Sequence, residues 1–136
     1  MLDIVIRGGT VFDGLGGPGR VMDVGITGGR IAALGPSLSA GRDEISAPGL
    51  AVTPGFIDIH SHGDGTVDED PRQESVVRQG ITTIVVGQDG SSRAPRARNR
   101  TGGAEPGEES AASFAAAFDA IDRLRPSVNV ASMVGL

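Results

Sequence analysis

The sequence predicts a mixed α/β protein, and a change of pattern near residue 53 carries that prediction. Residues 1–53 contain short β-branched runs separated by glycines, at a spacing typical of a small β-sandwich. From residue 54 onward, apolar runs alternate with helical patterns in the order β-α-β-α-β. This order predicts parallel strands joined by right-handed crossovers. We therefore expect two domains, one at 1–53 and one at 54–136.

Glycines separate the strands predicted for the first region. The first strand is expected to stop at Gly8-Gly9, and a second is expected to begin at residue 10. Thr27-Gly28-Gly29 lies between two β-rich runs, and glycine supplies the positive φ that a hairpin turn requires. The predicted strands are 3–7, 10–13, 23–26, 30–34 and 44–47.

The second region begins with a strand over 54–62 and continues with two helical patterns. A helix is expected within 68–79, with Asp70-Pro71 at its start and Gly80 at its end. Residues 110–125 have apolar side chains at helical spacing and are followed by a proline. The remaining strands are predicted at 81–86, a β-branched run typical of a buried parallel strand, and at 128–134.

Two histidines stand at the end of the first strand of this region, and the chain has no others. Because successive side chains of a strand alternate between faces, Asp58, His60 and His62 should share one side. Two neighbouring imidazoles can chelate one divalent cation, and neutral imidazole is a common zinc ligand. An isolated His-x-His pair is more often an ordinary exposed strand end, so the surrounding residues decide the assignment.

The composition excludes several classes of function. A net charge of −5, with no Trp or Tyr and only four Phe, argues against a nucleic-acid surface. The chain has no cysteine, so it offers neither disulfides nor thiolate ligands. All twelve basic residues are arginine, which leaves no lysine for a Schiff base or a carbamylated ligand. We see no secretory signal and no apolar run of about 20 residues, and expect a soluble, cytoplasmic protein without membrane partners.

Several blocks of the sequence resemble the opening of the amidohydrolase superfamily. The most characteristic is Pro-Gly-Phe-Ile-Asp-Ile-His-Ser-His at 54–62. Two later blocks narrow the resemblance to the N-acyl-D-amino-acid deacylases, or D-aminoacylases. Only residues 93–109 have no counterpart in this pattern. The resemblance runs over nearly the whole chain, and the blocks that carry it are 4–10, 23–26, 29–35, 54–62, 79–87 and 126–135.

The resemblance implies a β-sandwich packed on a metal-dependent (β/α)₈ barrel, of which this chain would contain only the beginning. In barrel enzymes the site lies at the carboxyl ends of the strands. His60 and His62 match the family's metal-binding pair, and the implied cofactor is zinc, as one or two divalent ions. Asp58 would orient a ligating imidazole, although barrel packing explains this residue equally well.

One turn departs from the family pattern. Where the deacylases have a cysteine ligand in a Gly-Asn-Cys-Gly type of turn, this chain has Gly87-Gln88-Asp89-Gly90. Asp89 can replace the thiolate, because a carboxylate oxygen also ligates zinc, but an Asp is equally natural in a glycine-bounded turn. Such a replacement would make the site harder and less zinc-selective. Ser91 and Ser92 then become candidate substrate contacts.

The implied activity is metal-assisted hydrolysis of a non-peptide carbon–nitrogen bond, with a small N-acyl-D-amino acid or a related amide as the substrate. A (β/α)₈ barrel takes about 250 residues, so three strands cannot close it. The general-base aspartate is expected beyond Leu136, and the chain alone is expected to be inactive. Two alternatives stay open: a cyclic-amide hydrolase similar to dihydroorotases and hydantoinases, and a non-catalytic binding or assembly module.

Overall fold

The computed structural model describes residues 1–90 and 113–134. Two compact units divide the chain, Met1–Pro54 and Gly55–Leu136. The first contains strands and the second contains strands and helices, so the mixed α/β class predicted from the sequence is confirmed. Within the described residues, no helix has the length and apolar character that a membrane span requires.

The first unit is built around one five-stranded sheet. Its strands follow the order β3-β2-β1-β4, and β5 also pairs with β1. The β1–β2 and β2–β3 pairs are antiparallel, whereas β4 and β5 run parallel to β1. Val5, Val24 and Ala47 supply its buried apolar side chains. The strands are β1 (Leu2–Val11), β2 (Arg20–Thr27), β3 (Arg30–Gly35), β4 (Gly41–Ser46) and β5 (Ala51–Val52).

The predicted break at Gly8-Gly9 is wrong, because β1 continues through both glycines. The pairing of β1 with β2 shifts register between Ile6 and Gly9, and Gly8 has a φ of +64°. A glycine in this conformation accommodates a β-bulge without ending the strand. A Cβ atom on Gly9 would lie 2.5 Å from Val52 Cγ2, so glycine also permits the close approach of β5.

The predicted hairpin between β2 and β3 is confirmed. Thr27 pairs with Arg30, which leaves Gly28 and Gly29 as the two central residues of the turn. Their φ angles are +58° and +72°. Positive φ at both central positions is the signature of the type I′ turn, whose twist matches that of the flanking strands.

The second unit contains a three-stranded parallel sheet in the order β6-β7-β8. The parallel arrangement predicted from the β-α-β-α-β order is therefore confirmed. Ile84, Val86 and Val128 form its buried cluster, against which Val76, Ile81 and Val130 pack. Its elements are β6 (Phe56–Asp58), α1 (Glu74–Val77), β7 (Ile81–Val86), α2 (Phe114–Leu124) and β8 (Asn129–Ser132), with a 3-10 turn at Gly63–Gly65.

The helix predicted within 68–79 is mostly absent, since α1 covers only Glu74–Val77. Asp70-Pro71 does not begin it; the residue before α1 is Gln73, which has a left-handed φ of +47°. The buried side chain of Gln73 donates to the Asp70 carbonyl at 2.7 Å and to Thr66 Oγ1 at 3.3 Å. These bonds hold the preceding residues in a non-helical turn, which the sequence pattern did not predict.

The second predicted helix agrees with the structure over its described part. Ser113 caps α2, because its Oγ accepts a hydrogen bond from the Ala116 backbone N–H. The helix ends at Leu124, and Arg125 takes a left-handed conformation before Pro126. The first residues of the prediction, 110–112, lie outside the described residues.

Candidate metal centre

The strand over 54–62 is shorter than predicted, and both histidines lie outside it. β6 ends at Asp58, whose Oδ1 accepts a hydrogen bond of 3.1 Å from the His60 backbone N–H. An aspartate that binds the backbone two residues ahead favours a turn over further strand. The argument from alternating strand faces is therefore wrong for His60 and His62. Asp58 orients the backbone of His60, where an imidazole partner was expected.

The two imidazoles nevertheless converge in the segment after β6. Their ring centroids are 5.6 Å apart, with the planes tilted by 58°. Ser61 lies between them, and its backbone N–H donates to the Val85 carbonyl at 2.9 Å. This bond holds the histidine segment beside the carboxyl end of β7, although the regular strand pairing has already ended.

Asp89 faces both histidines from the turn that follows β7. Its Oδ2 lies 3.1 Å from His60 Nε2 and 3.4 Å from His62 Nε2. Asp89 has a φ of +55°, between Gly87 and Gly90 at +85° and +82°. The turn chemistry of an Asp between glycines and a role beside the histidines, which the sequence presented as alternatives, are thus compatible in one geometry.

These three side chains have the donor atoms of a metal site. One ligand atom from each lies within 4.8 Å of the others, and the side chains are 59% (His60), 56% (His62) and 69% (Asp89) exposed. Two imidazole nitrogens and one carboxylate oxygen form a set that zinc accepts. Other divalent first-row metals also accept such nitrogen and oxygen ligands. The residues therefore fit a divalent cation that reaches them from solvent.

The other predicted site residues are Ser91 and Ser92, and both lie outside the described residues. A cavity of about 400 Å³ lies next to His62.

Sequence reasoning passed over Gln88, although its side chain is buried and bonds to the histidine segment. A single glutamine in a turn carries no recognisable signal. The cavity of about 400 Å³ next to His62 is lined by Ser61, His62, Gly63, Thr66, Glu69, Asp70, Gln73, Ser75 and Val76.

Comparison with known proteins gives the family of this chain. No protein-family model matches it. It is 44% identical over 146 residues to an N-acyl-D-glutamate deacylase of Alcaligenes xylosoxydans xylosoxydans, an alignment that covers 98% of this chain. A solved D-aminoacylase structure, described as defining a novel subset of amidohydrolases, has a TM-score of 0.77 and 36% identity over 99% of this chain. The chain belongs to the amidohydrolase family.

Another solved amidohydrolase relative carries a metal. The N-acyl-D-glutamate deacylase of Bordetella bronchiseptica has a TM-score of 0.82 and 40% identity over 98% of this chain. Its structure contains zinc and a phosphonate inhibitor that mimics the tetrahedral intermediate of the reaction. The resemblance predicted from the sequence is thus confirmed. This amidohydrolase chain spans 28% of the Alcaligenes deacylase, 30% of the D-aminoacylase and 29% of the Bordetella enzyme.

Proposed function

We propose that this chain supplies part of the metal centre of an enzyme that hydrolyses the amide bond of an N-acyl-D-amino acid. The observation that carries the proposal is the convergence of His60, His62 and Asp89, with ligand atoms within 4.8 Å of one another. Its relatives support it, because two that align over 98% of this chain are N-acyl-D-glutamate deacylases.

We also propose the finer architecture: residues 1–53 belong to a β-sandwich, and residues 54–136 begin a (β/α)₈ barrel. The candidate ligands support the barrel, because all three follow the carboxyl ends of adjacent parallel strands, where barrel enzymes carry their sites. Phe56 and Ile57 of the edge strand β6 are 59% and 62% exposed. β6 thus exposes large apolar side chains, as a strand does whose covering layers lie elsewhere in a longer protein.

The proposed cofactor is zinc, as one or two ions. His60 and His62 would hold it through neutral imidazole nitrogens, and the negative charge of Asp89 would offset part of the cation's charge. When bound, the cation supplies Lewis acidity, which makes a water molecule more acidic and polarises an amide carbonyl. Because a carboxylate stands where the resemblance implies a thiolate, we propose that this centre accepts harder metals more readily.

The remaining components of the enzyme are proposals on the sequence alone. We propose that the general base comes from the rest of a longer protein, and that residues 1–136 are inactive by themselves. Ser91 and Ser92 stay predicted substrate contacts, and the cytoplasmic location stays a prediction.

The activity is tested on the whole protein that contains this chain. Zinc-loaded enzyme is offered N-acyl-D-glutamate, N-acyl-D-aspartate, their L counterparts and a hydantoin, and the release of free amine or the opening of the ring is measured. We expect hydrolysis of an N-acyl-D-amino acid. Exclusive turnover of the hydantoin would establish the cyclic-amide alternative, and metal binding without any hydrolysis would favour the non-catalytic module.

A further inference from the structure

We propose that Gln88 is a positioning residue of the metal centre, whose buried side-chain amide sets the distance between Asp89 and the histidine segment. The inference rests on the proposed function, because it takes His60, His62 and Asp89 as ligands of one cation.

The contact that carries the inference is a single hydrogen bond between two loops. Gln88 is 6% exposed, and its Nε2 donates to the backbone carbonyl of Ile59 at 2.9 Å. Gln88 immediately precedes Asp89, and Ile59 immediately precedes His60. The bond therefore joins the direct chain neighbours of two candidate ligands, so a change in its length moves their backbones relative to each other.

A second bond restrains the other side of His60. The Ser61 backbone N–H donates to the Val85 carbonyl at 2.9 Å, so the two bonds flank the histidine. The bond of Ser61 joins two backbone groups, so it can form with almost any side chain at these two positions. The bond of Gln88 requires a side chain with an N–H donor and the reach of glutamine.

The ligand side chains themselves are poorly restrained by packing. Each is more than half exposed, so the position of its backbone largely decides where its donor atom lies. Asp89 also has a left-handed backbone conformation that non-glycine residues seldom adopt, and the residue after it is a glycine, Gly90, with a φ of +82°. Beside the contacts of Asp89 with the two imidazoles, a buried bond from the adjacent residue ties this turn to the histidine segment.

The test measures zinc affinity of the whole protein that contains this chain, by competition with a chromophoric chelator. Gln88→Met removes the donor and keeps the length of the side chain. We expect about tenfold weaker zinc binding, the usual size of effect when a partner that orients a metal ligand is lost. The control is Gln79→Met, because Gln79 Nε2 also donates to a backbone carbonyl, that of Ser75 at 2.8 Å, in an exposed local bond that joins no candidate ligands. Its zinc affinity should equal that of the wild type.

A second comparison separates positioning from a general effect on the fold. In an Asp89→Ala background, Gln88→Met should cost no further affinity, because the ligand that Gln88 positions is gone. A tenfold loss that persists in that background would overturn the inference. So would wild-type affinity in Gln88→Met, which would leave the metal centre itself intact.

Two further outcomes are also decisive. If Gln88→Met does not fold by circular dichroism, Gln88→Asn replaces it: its amide is one methylene too short to reach Ile59, and wild-type zinc affinity in that variant would overturn the inference. If the wild-type protein binds no zinc, both this inference and the proposed metal centre fail.

Discussion

Two aspartates, one in each unit, show how the surroundings of a carboxylate decide its use. Asp23 in the first unit is 6% exposed and accepts three hydrogen bonds. Its Oδ1 accepts from the Gly8 N–H at 2.9 Å, and its Oδ2 from Arg7 at 2.8 Å and the Leu38 N–H at 3.1 Å. Asp89 in the second unit is 69% exposed at its side chain and faces two imidazoles. A buried carboxylate whose oxygens already accept hydrogen bonds stabilises the fold, whereas an exposed carboxylate beside imidazole nitrogens can bind a cation.

Asp23 shares the guanidinium of Arg7 with a second carboxylate of the first unit. Arg7 bonds to Glu44 as well as to Asp23, and thereby connects β1 with β2 and β4. The Leu38 N–H, Arg7 and the Gly8 N–H hold the pKa of Asp23 below its usual value, and Arg7 lowers the pKa of Glu44. The same bonds, that of Glu44 first, raise the pKa of Arg7. This cluster should therefore affect stability rather than binding.

Neutralising each aspartate in turn tests the comparison most directly. Asp89→Asn should weaken zinc binding by about 100-fold or more, because a charged ligand is lost, and leave the free energy of unfolding within about 0.5 kcal/mol of the wild type. Asp23→Asn should do the reverse, with unchanged zinc affinity and a lower free energy of unfolding. The measurements are chelator competition and urea unfolding followed by circular dichroism. Equal zinc affinity in both variants would remove Asp89 from the centre.

Added zinc should stabilise the second unit and leave the first unchanged. At a free zinc concentration of 100 times Kd, binding to the folded state contributes about 2.7 kcal/mol. Hydrogen exchange should then slow in residues 56–62 and 81–90, while the amides of β1–β4 keep their rates. Slowing across both units would contradict the separation of binding from stability.

Acid should destabilise the first unit through Asp23 and Glu44. Because folding lowers both pKa values, the folded state binds fewer protons than the unfolded chain in this range. Their contribution is complete above the ordinary values of 3.8 and 4.5 and is lost as the pH falls through the folded values. Hydrogen exchange of the β1 and β2 amides should thus show opening free energies that fall from pH 6 to pH 3. The slope should be shallower in Asp23→Asn, and an unchanged slope would contradict this origin.

The smallest expected effect concerns the hairpin of the first unit. Gly29→Ala should lower the free energy of unfolding by roughly 1 kcal/mol, because Gly29 has a φ of +72°, which a Cβ atom disfavours. An added Cβ meets nothing within 4 Å, so the cost is one of backbone conformation alone. Gly17→Ala is the matched control, since that glycine is equally unobstructed and lacks a positive φ. Equal stability of the two variants in urea would contradict the turn assignment.

Local patterns were sufficient where the structure depends on neighbours in the chain. The type I′ hairpin at Gly28 and Gly29, the parallel strands and the end of α2 before Pro126 all follow from periodicity and turn chemistry. The same reasoning failed at Gly8-Gly9 and at residues 68–73. At Gly8-Gly9 a contact distant in sequence, the approach of β5, decided the conformation. At residues 68–73 the bonds of the Gln73 side chain to Asp70 and Thr66 decided it, and these short-range bonds are not visible as a periodic pattern.

By itself the sequence determined the family and the mixed α/β class. It also offered the three side chains of the candidate centre, with Asp89 left open between a ligand and a turn residue. Residue type and order are enough to propose the ligands, because the donor atoms of imidazole and carboxylate groups are fixed by residue type alone. Only the tertiary structure decided how these side chains meet. β6 ends before His60, and the bonds of Ser61 and Gln88 to other segments bring the rings toward Asp89. Such bonds join residues far apart in the chain, so no local periodicity encodes them.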